Sequence, residues 1–68
     1  MSLPAAGPAT LARYDALCAL LAERGRGRTM LDLGTAWELA GALEAPSPDP
    51  ATVAALTERL GLDVREAA

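Results

Sequence analysis

Proline stands at every second position of the run Ala45-Pro46-Ser47-Pro48-Asp49-Pro50, and nothing else in the chain restricts its fold as strongly. Each proline removes a backbone donor, holds its own φ near about −65° and pushes the residue before it out of the helical region. No helix or central strand can run through such a segment. It therefore divides the chain into a longer stretch before it and a shorter one behind, joined by an extended linker over 45–49. The linker also supplies a helix start, because Asp49-Pro50 has the chemistry of an N-cap followed by proline at N1.

Both stretches read as helical. Leu and Ala dominate, Val53 and Val64 are the only valines, Ile and Phe are absent, and Tyr14 and Trp37 are the only aromatics. That mixture is poor in the β-branched and aromatic residues that strands prefer. A first helix is expected over about 9–24, with Gly25 as its stop. Leu11, Tyr14, Cys18 and Leu21 fall on one of its faces, and Leu17 and Leu20 widen that face on opposite borders. The first eight residues, ending in Gly7-Pro8, are small and turn-prone and read as a loose tail.

Two helix starts follow the Gly25-Arg26-Gly27-Arg28 loop. Thr29 and Asp32 have the spacing of a cap with an acid at N3, and Thr35 with Glu38 is a full capping box directly after Gly34. The second signal favours a break at Gly34, with a short turn over 30–34 and the main second helix over 36–44. The alternative is one helix over 30–44 that tolerates Gly34 at about 1 kcal/mol relative to Ala. A third helix is expected over 50–60, with Val53, Leu56 and Leu60 as its stripe. Gly61-Leu62 gives it a Schellman stop. Asp63-Val64-Arg65-Glu66 repeats the cap-plus-acid spacing and starts a fourth segment. The expected fold is all-α: one domain over 9–68, a small bundle of three helices with a short fourth C-terminal segment.

Composition excludes several classes of function. At 51% hydrophobic and 22% charged, the chain is too apolar for intrinsic disorder. No apolar run approaches the length of a membrane-spanning helix, and the first residues lack the pattern of a signal peptide. A single cysteine makes no internal disulfide, so a cytoplasmic location is expected. The joint absence of Lys, Asn, Ile and Phe is the mark of a high-GC bacterial genome, which also explains an all-Arg basic set. Net charge is −3, so nucleic acid is not an expected partner.

The residues for chemistry are equally sparse. Without His there is no Cys-His or Ser-His pairing, and Cys18 alone cannot make a zinc site. Within Ala16-Leu17-Cys18-Ala19-Leu20-Leu21 it reads as an inert core thiol. The acids Asp32, Glu38, Asp49, Asp63 and Glu66 stand at helix starts, where capping accounts for them. Gly25-Arg-Gly-Arg lacks the following Lys-Ser/Thr and preceding strand of a phosphate-binding loop. No enzyme activity, metal or cofactor is expected.

Two fragments resemble known families. Arg13-Tyr-Asp-Ala-Leu-Cys-Ala-Leu-Leu-Ala22 and Thr52-Val-Ala-Ala-Leu-Thr-Glu-Arg-Leu-Gly-Leu-Asp63 resemble the first helix and the second helix with its turn in winged helix-turn-helix repressors. That resemblance implies DNA binding through a recognition helix starting at Asp63; no wing follows, and the charge is acidic. Asp32-Leu-Gly-Thr-Ala-Trp-Glu-Leu39, with Pro48-Asp-Pro-Ala-Thr-Val-Ala-Ala-Leu56, resembles the middle and last helices of polyketide-type acyl carriers. There the resemblance implies a carrier or accessory role on a multi-subunit enzyme, with Thr35 standing where the phosphopantetheine serine belongs.

A chain of 68 residues sits where burial barely offsets the cost of ordering. Combined with wide apolar arcs on its first two helices, this favours a non-catalytic interaction module that self-associates as a homo-oligomer or docks onto a larger protein. Leu17, Leu20, Leu21 and Trp37 are the expected partner-facing residues, unless the chain's own core takes them. Arg26 and Arg28 are added from the loop, where they would grip an acidic partner; the alternative there is a solvated loop following a helix end that Arg24 complements.

Overall fold

The computed structural model describes residues 7–67 and is all-helical over them, with the order α1 (Pro8–Glu23), α2 (Met30–Leu43), α3 (Pro50–Arg59) and α4 (Val64–Ala67). Helix α2 packs against α1 on one side and α3 on the other, and α4 closes onto α3. The core is made of Leu17 and Leu21 from α1, Ala36, Leu39 and Ala40 from α2, and Val53, Leu56 and Leu60 from α3. Leu62 and Ala67 complete it from the last turn. Of the expected tail, residues 1–6 lie outside the described residues; Gly7 is the N-cap of α1 and Pro8 its first residue.

The helix ends follow local chemistry. Helices α1 and α3 stop in the same way. The amide of Gly25 donates to Ala22 O at 3.1 Å and that of Arg26 to Leu21 O at 2.8 Å. The amide of Gly61 donates to Glu58 O at 3.0 Å and that of Leu62 to Thr57 O at 3.1 Å. These are two Schellman motifs, each turning on a glycine at φ +71°. Leu62 then drops into the core. Asp49 caps α3, accepting from the Ala51 amide at 3.3 Å and the Thr52 hydroxyl at 2.7 Å. The last segment opens on a reciprocal box, in which Asp63 accepts from the Arg65 amide at 3.4 Å and Glu66 accepts from the Asp63 amide at 3.1 Å.

Two expectations need correction, and one left open is resolved. The second helix is not broken at Gly34 but runs from Met30 to Leu43 in one piece. Its start is fixed at Thr29, whose hydroxyl accepts from the Asp32 amide at 3.1 Å, while the Asp32 carboxylate reaches back to the Gly27 amide at 3.2 Å. With that end held from both sides, the Thr35–Glu38 box is not used. The Thr35 hydroxyl is buried and donates to Leu31 O at 2.8 Å.

The inward face of α1 is also turned from the expected stripe. Leu17 and Leu21 are buried, Tyr14 and Cys18 are half-buried, and Leu11 is exposed. Leu17 and Leu21, four residues apart, meet α2 head-on, and the Leu11–Tyr14–Cys18 row slides to the edge of the contact. Cys18 is therefore an edge thiol rather than a core one. Finally, Trp37 is 41% exposed and sits on the rim of the α1–α2 contact.

Candidate protein-docking surface

Most polar groups in this domain are occupied by the fold. Arg26 reaches from the α1–α2 loop across the glycine turn that ends α3. Its guanidinium lies directly over Gly61 and donates to Arg59 O at 3.4 Å, with Asp32 at 3.9 Å. The two Schellman turns are thereby tied together. Arg24 pairs with Glu66 of α4, and Arg13 with Glu44 at 2.9 Å. The loop is thus not a free basic patch: Arg24 and Arg26 hold distant segments, and Arg28 alone of its arginines points into solvent without a described partner. The fourth segment, where a recognition helix would begin, has four described helical residues, with Arg65 as its only basic side chain. Among the described residues no cluster of His, Cys, Asp or Glu could hold a metal ion, and no helix is long and apolar enough to cross a membrane.

Thr35, which stands where the carrier resemblance puts an attachment serine, has its hydroxyl turned onto the backbone of the preceding turn and is 7% exposed. A prosthetic group has no access to it in this conformation.

Two concavities stand out among the described residues. One, of about 450 Å³, runs along α1 and ends at Glu44 and α4; Ala9, Ala12, Ala16, Leu17 and Leu20 form its floor. Its charged edges, Arg13, Glu44 and Glu66, are the ion-paired groups just described. The other, of about 370 Å³, is an open depression lined by Tyr14 of α1 and by Met30, Leu33, Gly34 and Trp37 of α2, with no charged residue in its lining.

This second depression lies in a wider apolar face. Met30 is 85% exposed and Leu31 79%, and Leu11 stands one turn before Tyr14 on the same side of α1. The Trp37 ring meets the Tyr14 ring edge-on, with centroids 5.2 Å apart and planes at 81°. This is the favourable T-shaped arrangement of an aromatic pair. The Tyr14 phenol is held above its ordinary pKa, first by a hydrogen bond with the Cys18 thiol and then by partial burial. The two rings thus pack against each other on the rim of the depression.

Of the residues expected to face a partner, the structure puts Leu17 and Leu21 inside the chain's own core; Leu21 is fully buried and Leu17 shows only its edge at the floor of the larger groove. Leu20 is half-buried on the floor of the larger groove. Trp37 is on the second depression, Arg26 is engaged within the chain, and Arg28 is exposed. Sequence reasoning missed Met30, Leu31 and Tyr14 as one surface with Trp37. The signal was present in the spacing of Met30, Gly34 and Trp37, but a break assumed at Gly34 cut it in two.

No protein-family model, curated protein or solved structure matches this chain.

Proposed function

We propose that the chain is a non-catalytic protein–protein interaction module whose working surface is the outer face of the α1–α2 pair. One observation carries this reading: the large apolar side chains Met30 and Trp37 are exposed around one depression, with Leu31 exposed next to Met30 in the chain, while the ten-residue core is complete without them. Single exposed apolar residues are ordinary, but a contiguous group around a concavity marks a docking site. An aromatic ring braced at the centre of such a group is the usual anchor of a protein interface. The lack of His and the engagement of Asp32, Glu44, Asp49, Asp63 and Glu66 in caps and ion pairs support a non-catalytic role. A reducing, cytoplasmic setting suits a lone half-buried cysteine.

The reading is tested by immobilising the chain and its Trp37→Glu variant and comparing what each retains from a bacterial lysate. A species held by the wild type and lost with the variant is expected, while Arg65→Ala, on the far side, should keep it. Identical captures by all three would overturn the reading.

A further inference from the structure

The outer face of α2 is not simply apolar. Met30, Gly34, Trp37 and Gly41 recur at i, i+4, i+7 and i+11, so they form one stripe along its exposed side. Large and absent side chains alternate in that stripe. Both glycines lie in the helix interior, where each costs about 1 kcal/mol relative to Ala. Neither is required by the chain itself, since a Cβ built on Gly34 or Gly41 meets nothing within 4 Å. The spacing four, three, four reads the same in both directions, but reversal exchanges large for small. A single antiparallel register therefore sets Met30 opposite the Gly41 of a second copy and Trp37 opposite its Gly34, with both contacts repeated by the two-fold axis. This is the self-complementarity an isologous interface requires.

Resting on the docking surface proposed above, we infer that its occupant is a second copy of this chain, bound α2 against α2 in that register. Each Trp37 enters the depression over the other copy's Gly34, and each Met30 covers its Gly41. Glycine in the holes lets the two helices approach closely, as knobs do in facing holes.

The charges agree with this occupant. Helix α2 has no basic residue of its own in its last turn and ends at Glu44, which pairs with Arg13 of α1. Arg28 immediately precedes the Thr29 cap, and the antiparallel register carries it to the carbonyl end of the second copy's α2. The acid on the border of the stripe, Glu38, falls opposite the second copy's Leu33 rather than another acid. Helix α2 has 14 residues, or about 21 Å of length. A contact between two helices of that length is small beside the roughly 800 Å² per partner of a standard interface, so the dimer is expected to exchange with the monomer.

The test is sedimentation equilibrium of the full chain and of Gly34→Gln, with a thermal melt of each at dilute concentration. The wild type is expected to show a monomer–dimer equilibrium. Gly34→Gln fills the hole without touching the monomer's core, so it should melt higher yet self-associate at least about tenfold more weakly, a difference of about 1.4 kcal/mol. Register is read in a Cys18→Ala background: an equimolar mixture of Met30→Cys and Gly41→Cys should oxidise to the mixed dimer well beyond its statistical share of one half. A wild type that stays monomeric up to millimolar concentration overturns the inference. So does a Gly34→Gln chain that dimerises like the wild type, or disulfide species in the statistical 1:2:1 ratio. In each of those cases the docking reading still stands if Trp37→Glu loses a captured species, and falls with the inference if it does not.

Discussion

The outer face of α2 and the α3–α4 end of the molecule are built from the same Ala/Leu-rich sequence, yet they use it in opposite ways. In α3 the apolar residues Val53, Leu56 and Leu60 are all buried, and the one polar residue among them, Thr57, returns its hydroxyl to Val53 O at 2.5 Å. Both ends of α3 are capped, and its single glycine stop is the one residue type its turn accepts. Nothing in that helix is left over. In α2, Ala36, Leu39 and Ala40 complete the core, while Met30, Leu31 and Trp37 remain outside and two glycines interrupt the helix for no intramolecular reason. A helix shaped by stability alone would look like α3. The surplus on α2 is what the proposed docking surface would use.

The comparison can be broken most severely at the core that both regions share. Leu17→Ala should cost about 2–5 kcal/mol, enough to unfold much of so small a domain. Leu20→Ala, three residues away but only half-buried, should cost distinctly less. Equal losses in chemical denaturation would show that α1 is packed all round rather than on one face.

Glycine substitutions sharpen the contrast, because the same change should have opposite signs in the two regions. Gly61→Ala forces a side chain into a left-handed turn and against the Arg26 guanidinium. It should destabilise by about 1–2 kcal/mol. Gly34→Ala adds a methyl group to open space in a helix and should stabilise the monomer by up to about 1 kcal/mol. Melting curves that move in the same direction would refute the distinction drawn here.

The smallest effect is at Asp49. Its carboxyl is held below the ordinary value, first by the Thr52 hydroxyl and then by the Ala51 amide. A carboxyl whose folded-state pKa is depressed contributes stability above its unfolded pKa and loses it as pH falls through the folded one. Asp49→Ala should thus lower the melting temperature by a few degrees at neutral pH. The gap from wild type should narrow below the ordinary carboxylate range. A gap independent of pH would mean that the cap hydrogen bonds are not formed.

What could be read from the residues depended on how far apart the deciding groups lie. The start and stop of α3 follow from Asp49-Pro50 and Gly61-Leu62, which act within a few positions of themselves, and both are found as expected. The continuity of α2 through Gly34 was not legible, because two capping signals compete within six residues. The choice between them rests on the Asp32 carboxylate meeting the Gly27 amide in a particular loop. The inward face of α1 was misread by about one residue for a related reason. Its stripe is broad enough to be docked at several angles, and α2 selects the Leu17–Leu21 row. The role of Arg26 is the least local of all, since its carbonyl partner, Arg59, is 33 residues away. No spacing rule connects them.

The claim beneath all of this is that the outer face of α2 belongs to binding and not to the fold. Chemical unfolding of Met30→Gln/Leu31→Gln at low protein concentration tests it directly. Both side chains are about four-fifths exposed, so the monomer's stability should stay within about 0.5 kcal/mol of wild type. A loss of 2 kcal/mol or more would contradict the account, because it would make that face part of what holds the single chain together.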